Sequence, residues 1–77
     1  MSVEAYVFVE CDEDPAALAA DLRGIGGVSR ADGLYGTLEV VALIEADDLK
    51  GLDGVIAAIL DTDGVEFTDT RIVRDLG

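Results

Sequence analysis

The sequence predicts an α+β fold, four strands and two helices in the order β-α-β-β-α-β, within one domain spanning residues 1–77. Three observations predict it. Val3 to Glu10 and Leu38 to Glu45 are runs of β-branched and apolar residues bounded by turn formers. Two stretches, opened by Asp14-Pro15 and by Asp47-Asp48, repeat apolar side chains at helical spacing. Each of those stretches closes in a Gly-containing turn followed by Val, at Gly27-Val28 and Gly64-Val65, so the second half echoes the first.

Taken in order, the first strand places Val3, Ala5, Val7 and Val9 on one face and Tyr6 and Phe8 on the other. Asp14 is a good N-cap, and Pro15 suits the first helical position because its missing N–H would be unpaired there anyway. Leu18, Ala19, Leu22 and Ile25 form the buried stripe of that helix, which Gly24, Gly26 and Gly27 end. Val28 to Leu34 alternates weakly and carries Ser29, Arg30 and Asp32, the pattern of an edge strand. Tyr35-Gly36-Thr37 is the turn into Leu38 to Glu45, which is apolar on both faces and reads as a central strand. Asp47 or Asp48 caps the second helix, with Leu49, Leu52, Ile56, Ile59 and Leu60 as its expected stripe. Val65 to Arg74, carrying Phe67, Ile72 and Val73, is the last strand.

This order is the ferredoxin-like split β-α-β arrangement, an antiparallel sheet with two helices on one face. Its first and third strands lie in the middle, and here those two are the richest in apolar residues. The sheet's other face should be polar if water touches it. Tyr6, Phe8 and the unbroken apolar run from Val40 to Ile44 contradict that. A second sheet related by a twofold axis is the simplest cover, so the expectation is a dimer with sheets packed face to face. The competing expectation is a thick single-chain core that absorbs these residues.

Composition narrows the function. Seventeen Asp and Glu oppose five Lys and Arg, a net charge of −12, and 51% of residues are hydrophobic. The mean hydropathy of +0.38 argues against disorder. Nucleic acid and anionic membrane surfaces should be repelled. An acid-rich surface around an ordinary apolar core fits a salt-accumulating, halophilic cell, because concentrated salt screens the repulsion. The single Cys11, the short apolar runs and an N-terminus without a basic, apolar leader point to a cytoplasmic protein.

Most catalytic apparatus is missing. With no His, there is no imidazole base, no His-ligated zinc and no Ser-His or Cys-His pair. Cys11 stands among Glu10, Asp12 and Glu13, which oppose thiolate formation. An EF-hand counted from Asp12 would need Gly and Glu where Ala17 and Arg23 stand. Gly24-Ile25-Gly26-Gly27 follows a helix instead of opening one, so it is no phosphate cradle. The expectation is a non-enzymatic protein with no catalytic residues, no metal and no cofactor.

Across nearly its whole length the chain resembles the effector-binding (RAM) domain of the Lrp/AsnC, or feast/famine, regulators. The residues that carry the resemblance are the order Val-Glu-Ala-Tyr-Val-Phe-Val-Glu, helix, Gly-Val and strand. They continue with Tyr-Gly-Thr-Leu-Glu-Val-Val-Ala-Leu-Ile-Glu-Ala-Asp-Asp-Leu, helix, and Asp-Gly-Val-Glu-Phe-Thr-Asp-Thr-Arg-Ile-Val. Nothing precedes the first strand, so the chain is similar to the stand-alone forms that lack a helix-turn-helix. The resemblance implies face-to-face dimers, their assembly into rings, often octamers, and amino-acid effectors bound between dimers. It also implies action through partners, by mixed assembly with helix-turn-helix relatives. The family signature is Gly, any residue, an aromatic, then Asp; Gly36 matches it, Leu38 replaces the aromatic and Glu39 the Asp. Ala46-Asp47-Asp48-Leu49 and Thr70 match as well.

The candidate effector site is therefore Tyr35, Gly36, Thr37, Leu38, Glu39, Thr68 and Thr70. Gly36 lets backbone N–H groups approach a carboxylate, Glu39 accepts from an ammonium, and Thr68 and Thr70 offer hydroxyls. Each has a plainer reading: Gly36 as a hairpin turn, Glu39 as a solvated strand residue, the threonines as edge-strand residues. Three other functions stay open. An ACT-like amino-acid module shares the strand order, but Asp14-Pro15-Ala16 stands where its Pro-Gly opening is expected. The others are a small cofactor-free monooxygenase of the dimeric α+β barrel class and a purely structural oligomerisation unit.

Overall fold

A computed structural model describes residues 2–74. Its elements are β1 (Val3–Cys11), α1 (Pro15–Arg23), β2 (Val28–Gly33), β3 (Val40–Ala46), α2 (Leu49–Leu60) and β4 (Val65–Ile72). The sheet order is β2-β3-β1-β4, with every neighbouring pair antiparallel. This is the expected ferredoxin-like α+β arrangement, with β1 and β3 central.

Helix starts follow the sequence chemistry. The Asp14 carboxylate accepts from Ala16 N–H at 3.1 Å, and Asp48 Oδ1 accepts from Gly51 N–H at 2.7 Å. Such caps each contribute about 1 kcal/mol. The helices share the face on which β1 buries Ala5, Val7 and Val9 and β3 buries Val40, Ala42 and Ile44. Leu18, Ala19 and Leu22 come down from α1, and Leu52, Val55 and Ile59 from α2. Alanine at positions 5, 19, 31 and 42 leaves room for the helices to lie close.

The internal echo is structural. Gly27 and Gly64 take φ of +96° and +94°, values that side chains with a Cβ rarely adopt. The carbonyl of each accepts from the end of a central strand: Glu45 N–H reaches Gly27 O at 2.9 Å, and Asp12 N–H reaches Gly64 O at 3.2 Å.

Three expectations need correction. Strand β3 begins at Val40, two residues after Leu38, because residues 34–39 close a loop through Leu34 N–H donating to Glu39 O at 2.6 Å. Strand β4 ends at Ile72, although Val73 N–H still donates to Glu4 O at 2.8 Å. On α2, Leu49 and Leu60 are exposed at 61% and 53%, while Val55, absent from the expected stripe, is buried. At 100° per residue, Leu52, Val55 and Ile59 share one arc, and Leu49, Ile56 and Leu60 the next. Both arcs are apolar, so periodicity could not choose between them.

Among the described residues, no helix covers the sheet's other face. Cross-strand register gives two rows, Arg30-Leu43-Tyr6-Arg71 and Asp32-Val41-Phe8-Asp69. Four apolar side chains thus form the centre, flanked at both sheet edges by an Arg and an Asp. Tyr6 remains 46% exposed and Phe67, nearby on β4, 56%. A thick core does not absorb them.

Candidate effector loop and the open sheet face

Five of the expected site residues share the loop between β2 and β3. Gly36 sits at its tip with φ of +115°, and a Cβ built there would meet nothing within 4 Å. Backbone conformation, not crowding, is therefore what calls for glycine. Tyr35 is fully exposed and Thr37 exposed, while Leu38 and Glu39 at the base are half-buried.

Glu39 is the unusual group. Among the described residues its buried Oε1 has no hydrogen-bond partner, and its Oε2 lies 3.9 Å from Cys11 Sγ. The thiol has a nearer acceptor in Glu13 O at 3.4 Å, and one S–H serves only one of them. Burial, and then the charge of Glu39, push the Cys11 thiol above its ordinary range. Cys11 is buried and carries its proton at neutral pH, a poor nucleophile.

Thr68 and Thr70 lie elsewhere. They pair with Val9 and Val7 on the helix side of β4, half-buried at the edge opposite β2. At a strand spacing of about 4.8 Å, β4 stands roughly 14 Å from β2. One chain does not bring the threonines to the loop, and among the described residues nothing lies within 4 Å of where a Gly36 Cβ would stand.

The sequence did not single out a depression of about 250 Å³ on the open face, lined by Tyr6, Arg30, Asp32, Val41 and Leu43. Arg30 Nε donates to Asp32 Oδ2 across it at 2.7 Å. Arg30 and Asp32, two apart on β2, necessarily share a face. That spacing was the available signal. Among the described residues, no cluster of three or more His, Cys, Asp or Glu is placed to hold a metal ion. No helix among them is long and apolar enough to cross a membrane.

No protein-family model and no curated protein matches the chain. Solved structures do. TTHA0845 from Thermus thermophilus is 26% identical with a TM-score of 0.87, over 97% of this chain and 96% of that one. E. coli AsnC is 21% identical with a TM-score of 0.83, over 95% of this chain and 51% of its own. The M. tuberculosis feast or famine regulatory protein Rv3291c, solved with L-methionine, is 21% identical with a TM-score of 0.78, over 95% of this chain and 50% of its own. The chain thus spans about half the length of those two regulators. Its fold is that of the matched half of the Lrp/AsnC regulators, and the resemblance drawn from its residues holds at that level.

Proposed function

We propose that this chain is a non-catalytic, amino-acid-sensing assembly domain whose effector is held at the Gly36 loop. The observation that carries the reading is the buried, unpartnered Oε1 of Glu39 at the base of that loop. A buried acceptor left unpaired costs about 1–3 kcal/mol, and the ammonium of a free amino acid offers the missing donor with charge assistance. The effector's carboxylate then meets backbone N–H groups beside Gly36, where no Cβ intervenes. Methionine is the first candidate, since Rv3291c was solved with it.

The exposed loop tip requires a second wall, and a second chain is its natural source. In this reading the apolar centre of Tyr6, Phe8, Val41 and Leu43 packs on its copy, with the flanking Arg and Asp residues as a polar rim, the usual anatomy of a protein interface. Pairs of chains then meet at their loops, in rings of the octameric kind, with Thr68 and Thr70 supplied by a neighbour. Mixed assembly with helix-turn-helix relatives couples the effector to regulation through its differential affinity for alternative assemblies.

Calorimetry with the twenty amino acids in molar KCl tests the site. Binding of at least one is expected, and Gly36→Ala should weaken it about tenfold or more by straining the positive-φ tip. Absence of heat with every amino acid, and of any change in assembly size, rules the reading out. A structural oligomerisation unit is the second reading, favoured by the open surroundings of Gly36.

A further inference from the structure

The helical layer lacks the acidic coat of the rest of the chain. Helices α1 and α2 together hold two acids, Asp21 and Asp53, and two bases, Arg23 and Lys50, so the whole net charge of −12 lies outside them. Along α2, Leu49 and Leu60 are more than half exposed, and Ile56 is half-buried between them. At 100° per residue the three fall within one narrow arc and form a ridge about 16 Å long. Leu52, Val55 and Ile59 already supply the core from the neighbouring arc, so the ridge has no packing role within the chain.

Charge around the ridge is polarised. Asp12 N–H donates to Gly64 O at 3.2 Å, which ties the start of α1 to the end of α2. Exposed Asp12, Glu13 and Asp14 thereby gather with exposed Asp61 and Asp63. The ion pairs among the described residues, Arg30 with Asp32 and Arg71 with Asp69, lie on β2 and β4, so neither neutralises this end. At the other end of α2, Asp47 and Asp48 are followed by Lys50, and Arg23 closes α1.

We propose that the α2 ridge docks an amphipathic helix of a different protein, one with an apolar stripe and a cluster of Arg or Lys at one end only. The stripe lies along Leu49, Ile56 and Leu60, whose spacing suits helical anchors, and the basic end sits over the five carboxylates beside the α2 C-terminus. Charge complementarity chooses this occupant over a second copy. A copy carries the same charge of −12 and brings no cluster of bases to meet those carboxylates. The basic end also fixes the direction in which the visiting helix lies, a polarity that apolar contact alone does not supply. This surface is separate from the Gly36 loop and from the helix-free face, so the proposal stands or falls independently of both.

Two designed helical peptides test it, both with a leucine stripe, one ending in arginines and the other in glutamates at the same end. Each is titrated into the full chain across a KCl series and followed by fluorescence anisotropy. The arginine peptide should bind saturably, about tenfold or more tighter than the glutamate peptide, and weaken as KCl rises. Leu49→Gln with Leu60→Gln, neutral changes that a helix tolerates, should weaken it about tenfold or more. Asp61→Asn with Asp63→Asn should reduce the preference for arginine, and Tyr6→Lys on the open face should leave binding unchanged. A paramagnetic label at the arginine end should broaden the amide signals of residues 61–64 more than those of residues 49–51. Failure of the arginine peptide to bind, equal binding of both peptides, or binding indifferent to the leucine pair overturns the proposal. So does a halving of the wild-type assembly mass by Leu49→Gln with Leu60→Gln, since a second copy would then cover the ridge.

Discussion

Cys11 and Glu39 hold the least comfortable chemistry in the molecule. Burial and the neighbouring carboxylate raise the thiol's pKa, so the folded state favours the protonated form more than the unfolded chain does. The sign follows: this contribution to stability is complete below the ordinary thiol value of about 8.5. It is lost as pH rises from there through the higher folded value. Thermal melts from pH 7 to 10 should show the wild type losing stability relative to Cys11→Ala as pH rises. Glu39→Gln removes the carboxylate charge that opposes the thiolate, so its thiol should react with iodoacetamide faster than the wild type at pH 8. An unchanged rate in Glu39→Gln means that Glu39 does not act on the thiol. Glu39 itself was legible as a candidate ligand because its carboxylate keeps the acid of a family signature. Its buried, unpartnered oxygen was not, since that depends on how the loop of residues 34–39 closes on itself.

At the level of the elements, the two half-repeats make a paired experiment. Gly27 and Gly64 share a positive φ, but their surroundings differ. A Cβ on Gly27 would collide with the Val55 side chain and press to 3.3 Å from Glu45 O. On Gly64 the nearest atom would be Asp12 Oδ1, at an ordinary 3.7 Å. Gly64→Ala should thus cost about 1–2 kcal/mol from backbone strain alone. Gly27→Ala adds overpacking, typically about 1–3 kcal/mol more. Chemical denaturation that ranks the two equally would contradict the asymmetry. Helix caps, strand order and the Gly-Val echo were readable in the sequence because each rests on local chemistry: an Asp before an apolar stripe, alternation with period two, a glycine where φ turns positive. The start of β3 and the buried arc of α2 were not. Leu38 has strand propensity but is drawn into a hydrogen-bonded loop, and only packing against the sheet chooses between Val55 and Leu49.

As a whole, the molecule carries a net charge of −12 around a sheet whose helix-free side is apolar at its centre. Repulsion between copies reaches about 10 Å at 0.1 M salt and about 3 Å at 1 M. Melting temperature and assembly should therefore both rise with KCl, and stability that is flat between dilute and molar salt would count against the acidic surface as an adaptation to salt. The position of the threonines belongs to this scale too: Thr68 and Thr70 reach a loop only if another chain provides it, which no reading of one chain reveals.

Hydroxyl-radical footprinting in molar KCl addresses the open face most directly, because Tyr6 stands at its centre with 46% of its surface free in a single chain. If a second sheet lies over that face, Tyr6 reacts far more slowly than its single-chain exposure allows. Modification of Tyr6 at about half the rate of a free tyrosine would show that water, and no second chain, covers it.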